Sequence, residues 1–357
     1  NRKIKYLDTV KKQKMRLLIA SLLLLVGTCS NQRHSEKVKD VKASIQFQDT
    51  STVETYLNTI TEEDLKKHLT EIADPKYVGR MTGEPGHNMV CDYIRRHYDS
   101  LQVKAPEIYP NYYQPLPKSY LPEETKASLN VIAYIEGFKL PDEYLIISGH
   151  SYHLDMENGI VHNGADDNAS GTSAILEIAE AFILAVKNGI KPKRSVIFLH
   201  VTAEEMGLYG SQYYIDNPVF PIENTVANLN TDMIGRIDKR HEGNEDYVYL
   251  IGSDRISSEL DYIVRKANDE FINLDLDYKY NDYNDSNRYY NRSDHYNFAL
   301  QNIPVIFFFN GEHEDYHKAS DTIDKINFTA LRKRAQLIFA TAWYIANANQ
   351  PPSKEVL

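Results

Sequence analysis

Sulfur, tryptophan and basic charge are all scarce in this chain. It has two cysteines, Cys29 and Cys91, and a single tryptophan in 357 residues. No network of disulfides can therefore staple the fold, and stability must come from a packed core, for which the length is sufficient. Lys and Arg number 40 against 50 Asp and Glu, a net charge of −10. Such an acidic surface disfavours nucleic acid and anionic lipid as partners and tolerates ligands that carry a free amine. The N-terminal run Leu17 to Val26, broken by Ser21, is about 10 residues, too short to cross a bilayer.

That run has the dimensions of a signal-peptide core, preceded by Lys11, Lys12, Lys14 and Arg16. It ends in Val26-Gly27-Thr28-Cys29-Ser30, which resembles a bacterial lipoprotein box with Cys29 as the acylated residue. The expectation is an exported, membrane-anchored lipoprotein, periplasmic or cell-surface. Translation is expected to start at Met15, with residues 1–14 an overhang and 1–29 set aside from the fold. Residues 1–28 hold seven basic and one acidic residue, so the remainder is more acidic still. Residues 30–55 are polar and read as a flexible tether. Cys91 shares a helical face with Ile94 and Tyr98 and is expected to be a buried, inert thiol.

From residue 56 to 350 a single domain is expected. Thr61-Glu-Glu-Asp opens a helix whose Leu65, Leu69 and Ile72 share a face. Gly79 to Gly86 is a turn, followed by helix to about Leu101. Residues 105–124 hold five of the fourteen prolines and read as an extended excursion. Strands are expected at Asn130–Glu136, Tyr144–Ser148, Ser195–Val201, Thr225–Asp232, Tyr247–Gly252 and Pro304–Phe309. Helices are expected at Ala169–Lys187, within Glu204–Asp216, at Ser257–Glu270, at Ser293–Gln301 with Ser293 as its cap, and from Phe328 to about Asn347. Asp275–Asn291 is a loop rich in Tyr, Asn and Asp. Strands alternating with helices imply an α/β fold, a three-layer α/β/α sandwich on a largely parallel mixed sheet.

In such sheets ligands bind beyond the carboxyl ends of the strands. His150, Glu204, Glu205, Asp232 and His317 all follow strands, and Asp166 lies in the loop that opens a helix. Each alone has an ordinary explanation as a cap or a solvated side chain. Together they offer imidazole and carboxylate donors at one rim, as a hydrolase with paired metal ions requires.

The strings that carry chemistry are Asn130 to Gly137, Gly164-Ala-Asp-Asp-Asn-Ala-Ser-Gly171, Thr202-Ala-Glu-Glu-Met-Gly207, Thr231 to Arg236, Arg292 to Tyr296, and Asp315-Tyr-His317 with Ser320-Asp-Thr322. With these, the stretch from about Thr61 to Asn347 resembles the M28 family of dizinc aminopeptidases. The resemblance implies that Asp166 bridges two Zn²⁺ ions, with Co²⁺ or Mn²⁺ as substitutes. His150 and Asp232 would complete one ion, and Glu205 and His317 the other. Glu204 would be general base and Tyr316 would hydrogen-bond the oxyanion. It also implies a cis peptide at Asp166-Asp167, and peptides with a free N-terminus as substrates. The family's His-x-Asp is not matched at His150-Ser-Tyr152, where Tyr152 stands for the Asp that orients the ligand. His153-Leu-Asp155 is the rival first ligand. Two other readings stay open: a single-zinc glutaminyl cyclase relative, and a catalytically weakened binding lipoprotein. The cluster Tyr278, Tyr280, Tyr283, Tyr289 and Tyr290 is a candidate specificity pocket, and Asp294 and His295 lie near the site by the same analogy.

Overall fold

The computed structural model describes residues 34–154, 156 and 158–357. Cys29, the signal segment and Asp155 lie outside them. The chain divides into two compact units, residues 1–46 with Leu357, and Phe47–Val356. In the first, residues 34–44 are helical. In the second, helix α1 (Thr50–Leu57) is capped by Asp49 and buries Val53, Tyr56 and Leu57. The span 30–55, expected as a tether, therefore contains helix in both units.

Helix α2 (Glu62–Ile72) starts where Thr61 accepts a hydrogen bond from the Asp64 amide, and buries Leu65, His68, Leu69 and Ile72. Helix α3 (Pro85–Leu101) begins with Pro85 in its first turn and buries Cys91, Ile94 and Tyr98. Cys91 is a free, buried thiol. After α3 come β1 (Tyr113–Leu116), β2 (Ser128–Ile135), β3 (Leu140–His150), α4 (Gly171–Lys187), β4 (Arg194–Val201), α5 (Tyr209–Asp216), β5 (Thr225–Thr231), β6 (Tyr247–Ile251), α6 (Ser258–Ala267), β7 (Asp275–Asp277), α7 (His295–Leu300), β8 (Val305–Phe309) and α8 (Phe328–Asn347).

The strands form one sheet in the order β1-β2-β4-β3-β5-β8-β6-β7. Its centre, β4-β3-β5-β8, is parallel. The strands β1, β2 and β6 pair antiparallel to their inner neighbours, which makes the sheet mixed. Every residue of β4, β5 and β8 is buried, as expected of strands covered on both faces. The sequence 165–187 is apolar enough to cross a membrane by composition, but it is 83% buried inside the fold and serves as its central helix.

Two short strands were not expected. β1 forms inside the proline-rich excursion and β7 inside the Tyr/Asn/Asp loop; both are sheet edges of three or four residues, below the length at which a period of two is legible. Ser293 does not cap α7. The N-cap is Asp294, without a side-chain cap bond, and the Ser293 hydroxyl donates instead to Asp232, just past the end of the central strand β5.

Candidate metal centre

Four parallel strands end at one edge and deliver the donors there. β3 terminates in His150, β5 is followed at once by Asp232, and the loop after β4 carries Glu204 and Glu205. The loop after β8 brings His317. The residues next to or at three donors adopt left-handed backbone, Ala203 at φ 54°, Met233 at φ 54° and His317 at φ 56°. Non-glycine residues in that region are uncommon and cluster at functional sites.

The Gly164–Gly171 loop supplies the central carboxylate, and it is Asp167. Its Oδ1 lies 3.3 Å from His150 Nε2 and its Oδ2 lies 3.2 Å from His317 Nε2. Asp166 faces away from both imidazoles. Its Oδ1 accepts the Gly235 amide at 2.6 Å and its Oδ2 sits 3.2 Å from His313 Nε2. The expected position of the central donor thus moves by one residue, because the backbone between them reverses the side-chain direction. The cis peptide moves with it, to Asp167-Asn168.

Around Asp167 the donors form two groups. In one, His150 Nε2 lies 3.2 Å from Asp232 Oδ1. In the other, Glu205 lies 2.8 Å from His317 Nε2 and 3.3 Å from His153 Nδ1. His150 and His153, rivals in the sequence, both contribute donors, one to each group. His153 Nδ1 is 3.8 Å from Asp167 Oδ2, and its ring centroid is 6.1 Å from that of His317.

The role reserved for a carboxylate at Tyr152 is taken by its backbone. His150 Nδ1 lies 2.9 Å from the Tyr152 carbonyl, which accepts the ring N–H and leaves Nε2 as the donor facing Asp167 and Asp232. The phenol of Tyr152 is buried, its ring edge-on to His87 and 6.0 Å from that of His150, and its Oη has no hydrogen-bond partner among the described residues. Burial, with Glu205, Glu204 and Asp167 adding to it, raises its pKa well above the usual phenol range.

Supporting bonds fix the loop. Asp321 accepts from the amides of both Asp166 and Asp167 at 3.0–3.1 Å. The Asn168 side chain donates to Thr231 O and accepts from the Gly171 and Met233 amides. Gly164 has φ 52°, and a Cβ there would lie 2.1 Å from Asp167 O and 2.5 Å from the His153 ring. Ser293 Oγ donates to Asp232 Oδ2 at 2.6 Å while accepting from Asn230. Arg80, buried among these segments, donates to Ser151 O, Asn163 O and Gly164 O and so ties the β3 end to the loop. Sequence reasoning placed Arg80 only in a turn; a lone Arg between Gly79 and Met81 carries no local signal for a clamp 83 residues away in the chain.

The electrostatics reflect crowded acid. Burial opposes charge on His150, but Asp232, Glu204 and Asp167 outweigh it and raise its pKa well above the usual imidazole range. Burial likewise opposes charge on His317, yet the facing carboxylates of Asp167 and Glu205 push it up to about 10. Burial raises Glu204 well above the carboxylate range, with Asp232 and Glu205 adding to it against His150. Asp294 is pushed up to about 7, first by burial. Several donor atoms are buried without a hydrogen-bond partner: both nitrogens of His153, Asp167 Oδ2, Glu205 Oε1 and His317 Nε2. Buried polar atoms are normally satisfied. An imidazole and carboxylate set orphaned in this way fits divalent cations of the zinc class.

Glu204 belongs to neither group but lines the same cleft, about 290 Å³, with Tyr316, Arg292 and the apolar side chains of Met233, Phe307 and Phe309. Tyr316 stacks on His317 at 3.8 Å, and its Oη accepts from Arg292 Nη2 at 3.1 Å. Of the tyrosine cluster only Tyr289 reaches this cleft. Tyr280 is core, Tyr283 is 77% exposed, Tyr278 lies under Arg265, and Tyr290 lies under Arg255. His295 is buried against Phe307, and Asp294 accepts from Ser211 Oγ at 2.5 Å.

Against known proteins, the profile described as Peptidase family M28 matches residues 130–342. The mouse aminopeptidase NAALADL1 is 38% identical over 112 residues, 31% of this chain and 14% of that protein. Leucine aminopeptidase 2 of Arthroderma otae is 26% identical over 256 residues, 65% of this chain and 48% of that protein. The matched stretch thus spans less than half the length of these relatives. Among solved structures, the Legionella pneumophila LapA aminopeptidase superposes with a TM-score of 0.67 at 20% identity, covering 86% of this chain and 76% of that one. BSAP, a zinc aminopeptidase from Bacillus subtilis, does so with 0.61 at 15% identity, covering 84% and 99%. The sheet with its two helical layers is that of these enzymes, and the family profile covers more than half of the sequence: this chain belongs to peptidase family M28.

Proposed function

We propose that the protein is a zinc-dependent exopeptidase that removes N-terminal residues from peptides at a two-metal centre. The observation that carries this reading is the division of Asp167 between the two donor groups, one oxygen toward His150 and the other toward His317. His150 and Asp232 would hold one ion. Glu205, His317 and His153 would hold the other, so that the second ion gains an imidazole beyond the set expected from the sequence. When bound, the ions would polarise the scissile carbonyl and lower the pKa of a shared water.

The remaining work falls to the chain's own side chains. Glu204 is left free by both groups, and burial raises its proton affinity, so its carboxylate can take a proton from water and return it to the leaving amine. Arg292 donates into a lone pair of Tyr316 Oη, which leaves the phenolic hydrogen available for an oxyanion. Ser293 and the Tyr152 carbonyl hold Asp232 and His150 in fixed orientations. Met233, Phe307 and Phe309 offer an apolar wall for the side chain of the residue removed. The N-terminal segment is read as an export and anchoring signal acylated at Cys29; metabolic labelling with palmitate, lost on Cys29→Ala, is the expected result.

Glu204→Gln tests the enzymatic reading. Zinc content should stay at the wild-type value while hydrolysis of aminoacyl-nitroanilides falls by about 10²–10⁴-fold. Unchanged turnover would remove Glu204 from the chemistry, and absence of turnover in the wild-type protein across a panel of aminoacyl substrates would remove the exopeptidase reading.

A further inference from the structure

Away from the cleft, three helices bring a second set of imidazoles and carboxylates together. His68 sits on the buried face of α2 with Leu65, Leu69 and Ile72. His97 comes from α3, and Glu177 and Glu180 come from successive turns of α4. His68 Nε2 lies 3.1 Å from Glu177 Oε1, and His97 Nε2 lies 3.9 Å from Glu180 Oε2. One donor atom from each of His68, His97 and Glu180 falls within 4.8 Å of the others. The two histidine rings meet edge to face, 4.6 Å between centroids.

Three features separate this cluster from an ordinary buried hydrogen-bond pair. First, Glu177 is 3% exposed, yet among the described residues it pairs with no Lys or Arg. A carboxylate buried without a cation is costly, and Glu180 three residues on adds a second acid on the same helix face. Second, Glu177 Oε1 and His97 Nε2 are both buried without a hydrogen-bond partner. The contact from His68 to Glu177 is short but not aligned as a hydrogen bond, so two donor atoms face each other. Their 3.1 Å separation is close to the edge of a tetrahedral site with bonds of about 2.0–2.1 Å, roughly 3.3 Å. Third, His68 is oriented from behind. Its Nδ1 lies 2.7 Å from Tyr93 Oη, which fixes the ring with Nε2 toward the carboxylates, as the outer partner of a metal-bound imidazole does.

We propose that His68, His97, Glu177 and Glu180 form a further divalent-cation site of the zinc class, which clasps α2, α3 and α4 together. His68, His97 and Glu180 supply three donors within 4.8 Å of one another. Glu177, 3.1 Å from His68 Nε2, stands beside them as a further carboxylate, a mixed imidazole and carboxylate set of the type that holds a structural ion. Glu180, with its side chain 37% exposed, gives the ion a path from solvent, whereas His97 is 15% exposed.

The test is a zinc count on the full chain after chelation and dialysis, titrated with Zn²⁺ alone. Asp167→Asn serves as a background in which the catalytic centre is impaired. The expected result is that His68→Gln, His97→Gln and Glu180→Gln each lower the count by one ion per chain, both in the otherwise native protein and in the Asp167→Asn background. Zinc should raise the melting temperature of Asp167→Asn, and His97→Gln should abolish that increment. His97 and Glu180 are partly exposed, so these two variants keep the test valid if His68→Gln does not fold. A count unchanged by both of them overturns the site. A native count of one ion that falls to zero in these variants upholds it while removing the two-metal reading of the cleft.

Discussion

Asp166 and Asp167 are neighbours with the same side chain and opposite surroundings. Asp166 is held by the Gly235 amide and His313, whereas Asp167 faces His150 and His317. Asp167→Asn is therefore expected to strip both ions from the cleft and lower kcat/KM by at least about 10²-fold, while Asp166→Asn retains the metal; equal zinc loss from the two variants, measured by elemental analysis, would contradict the assignment. From the sequence the bridge falls on Asp166, one residue short of the carboxylate that faces both imidazoles. Side-chain direction in a strand or helix follows a period, but this loop has none: Asp167 (φ −106°, ψ 88°) and Asn168 (φ −131°, ψ 46°) leave helical geometry between Gly164 and Gly171. The same limit applies to His150 and His153, which looked like alternatives in one dimension and fall on two sides of Asp167 in three. His150, Glu205, Asp232 and His317 were legible because each directly follows a strand or lies in the loop after one. His153→Gln is expected to weaken zinc binding at the Glu205 side by about 10–100-fold, read by chelator competition, with the His150 side unaffected.

At the scale of elements, buried apolar runs gave away the central strands, the capping box at Thr61 gave away α2, and amphipathic spacing gave away α6, whose Ser257 cap the structure adds. What escaped were the short edge strands β1 and β7, the clamp by Arg80, and the helices at 34–44 and Thr50–Leu57, whose polar composition reads as a tether. The loop from Gly164 is the element on which the site depends. Gly164→Ala places a Cβ against Asp167 O and His153 at a left-handed position, and should cost about 1–3 kcal/mol by urea denaturation and lower zinc affinity with it. A fully stable, fully loaded variant would contradict that role. The packing of α3 and α7 on the sheet sets a pH limit. His87 and His200 are each buried and held down to about 3, as is His295, all from 6.5. Tyr98 Oη lies 2.6 Å from His200 Nε2 and donates to the neutral ring. Below about 6.5 the unfolded chain binds protons that the folded chain refuses. Stability present above that pH is therefore lost on the way down toward 3, at roughly 1.4 kcal/mol per pH unit for each such histidine. Urea midpoints from pH 7 to 4 should fall less steeply in His200→Gln than in the native protein; parallel slopes would show that His200 is not among the groups responsible.

Across the whole molecule, a parallel centre within a mixed sheet does the gathering. Parallel strands point their carboxyl ends the same way, so residues separated by as much as 167 positions, His150 and His317, meet at one rim. That rim lies beside Glu204 and an apolar wall, and the cleft they form is the one to which the proposed peptide hydrolysis is assigned. The most direct measurement is anomalous diffraction at the zinc edge from crystals of the zinc-loaded protein. The expected result is a pair of peaks on either side of Asp167, about 3.5–4 Å apart, one beside His150 and Asp232 and the other beside Glu205, His317 and His153. A single peak in the cleft, or a pair centred on Asp166, would contradict it.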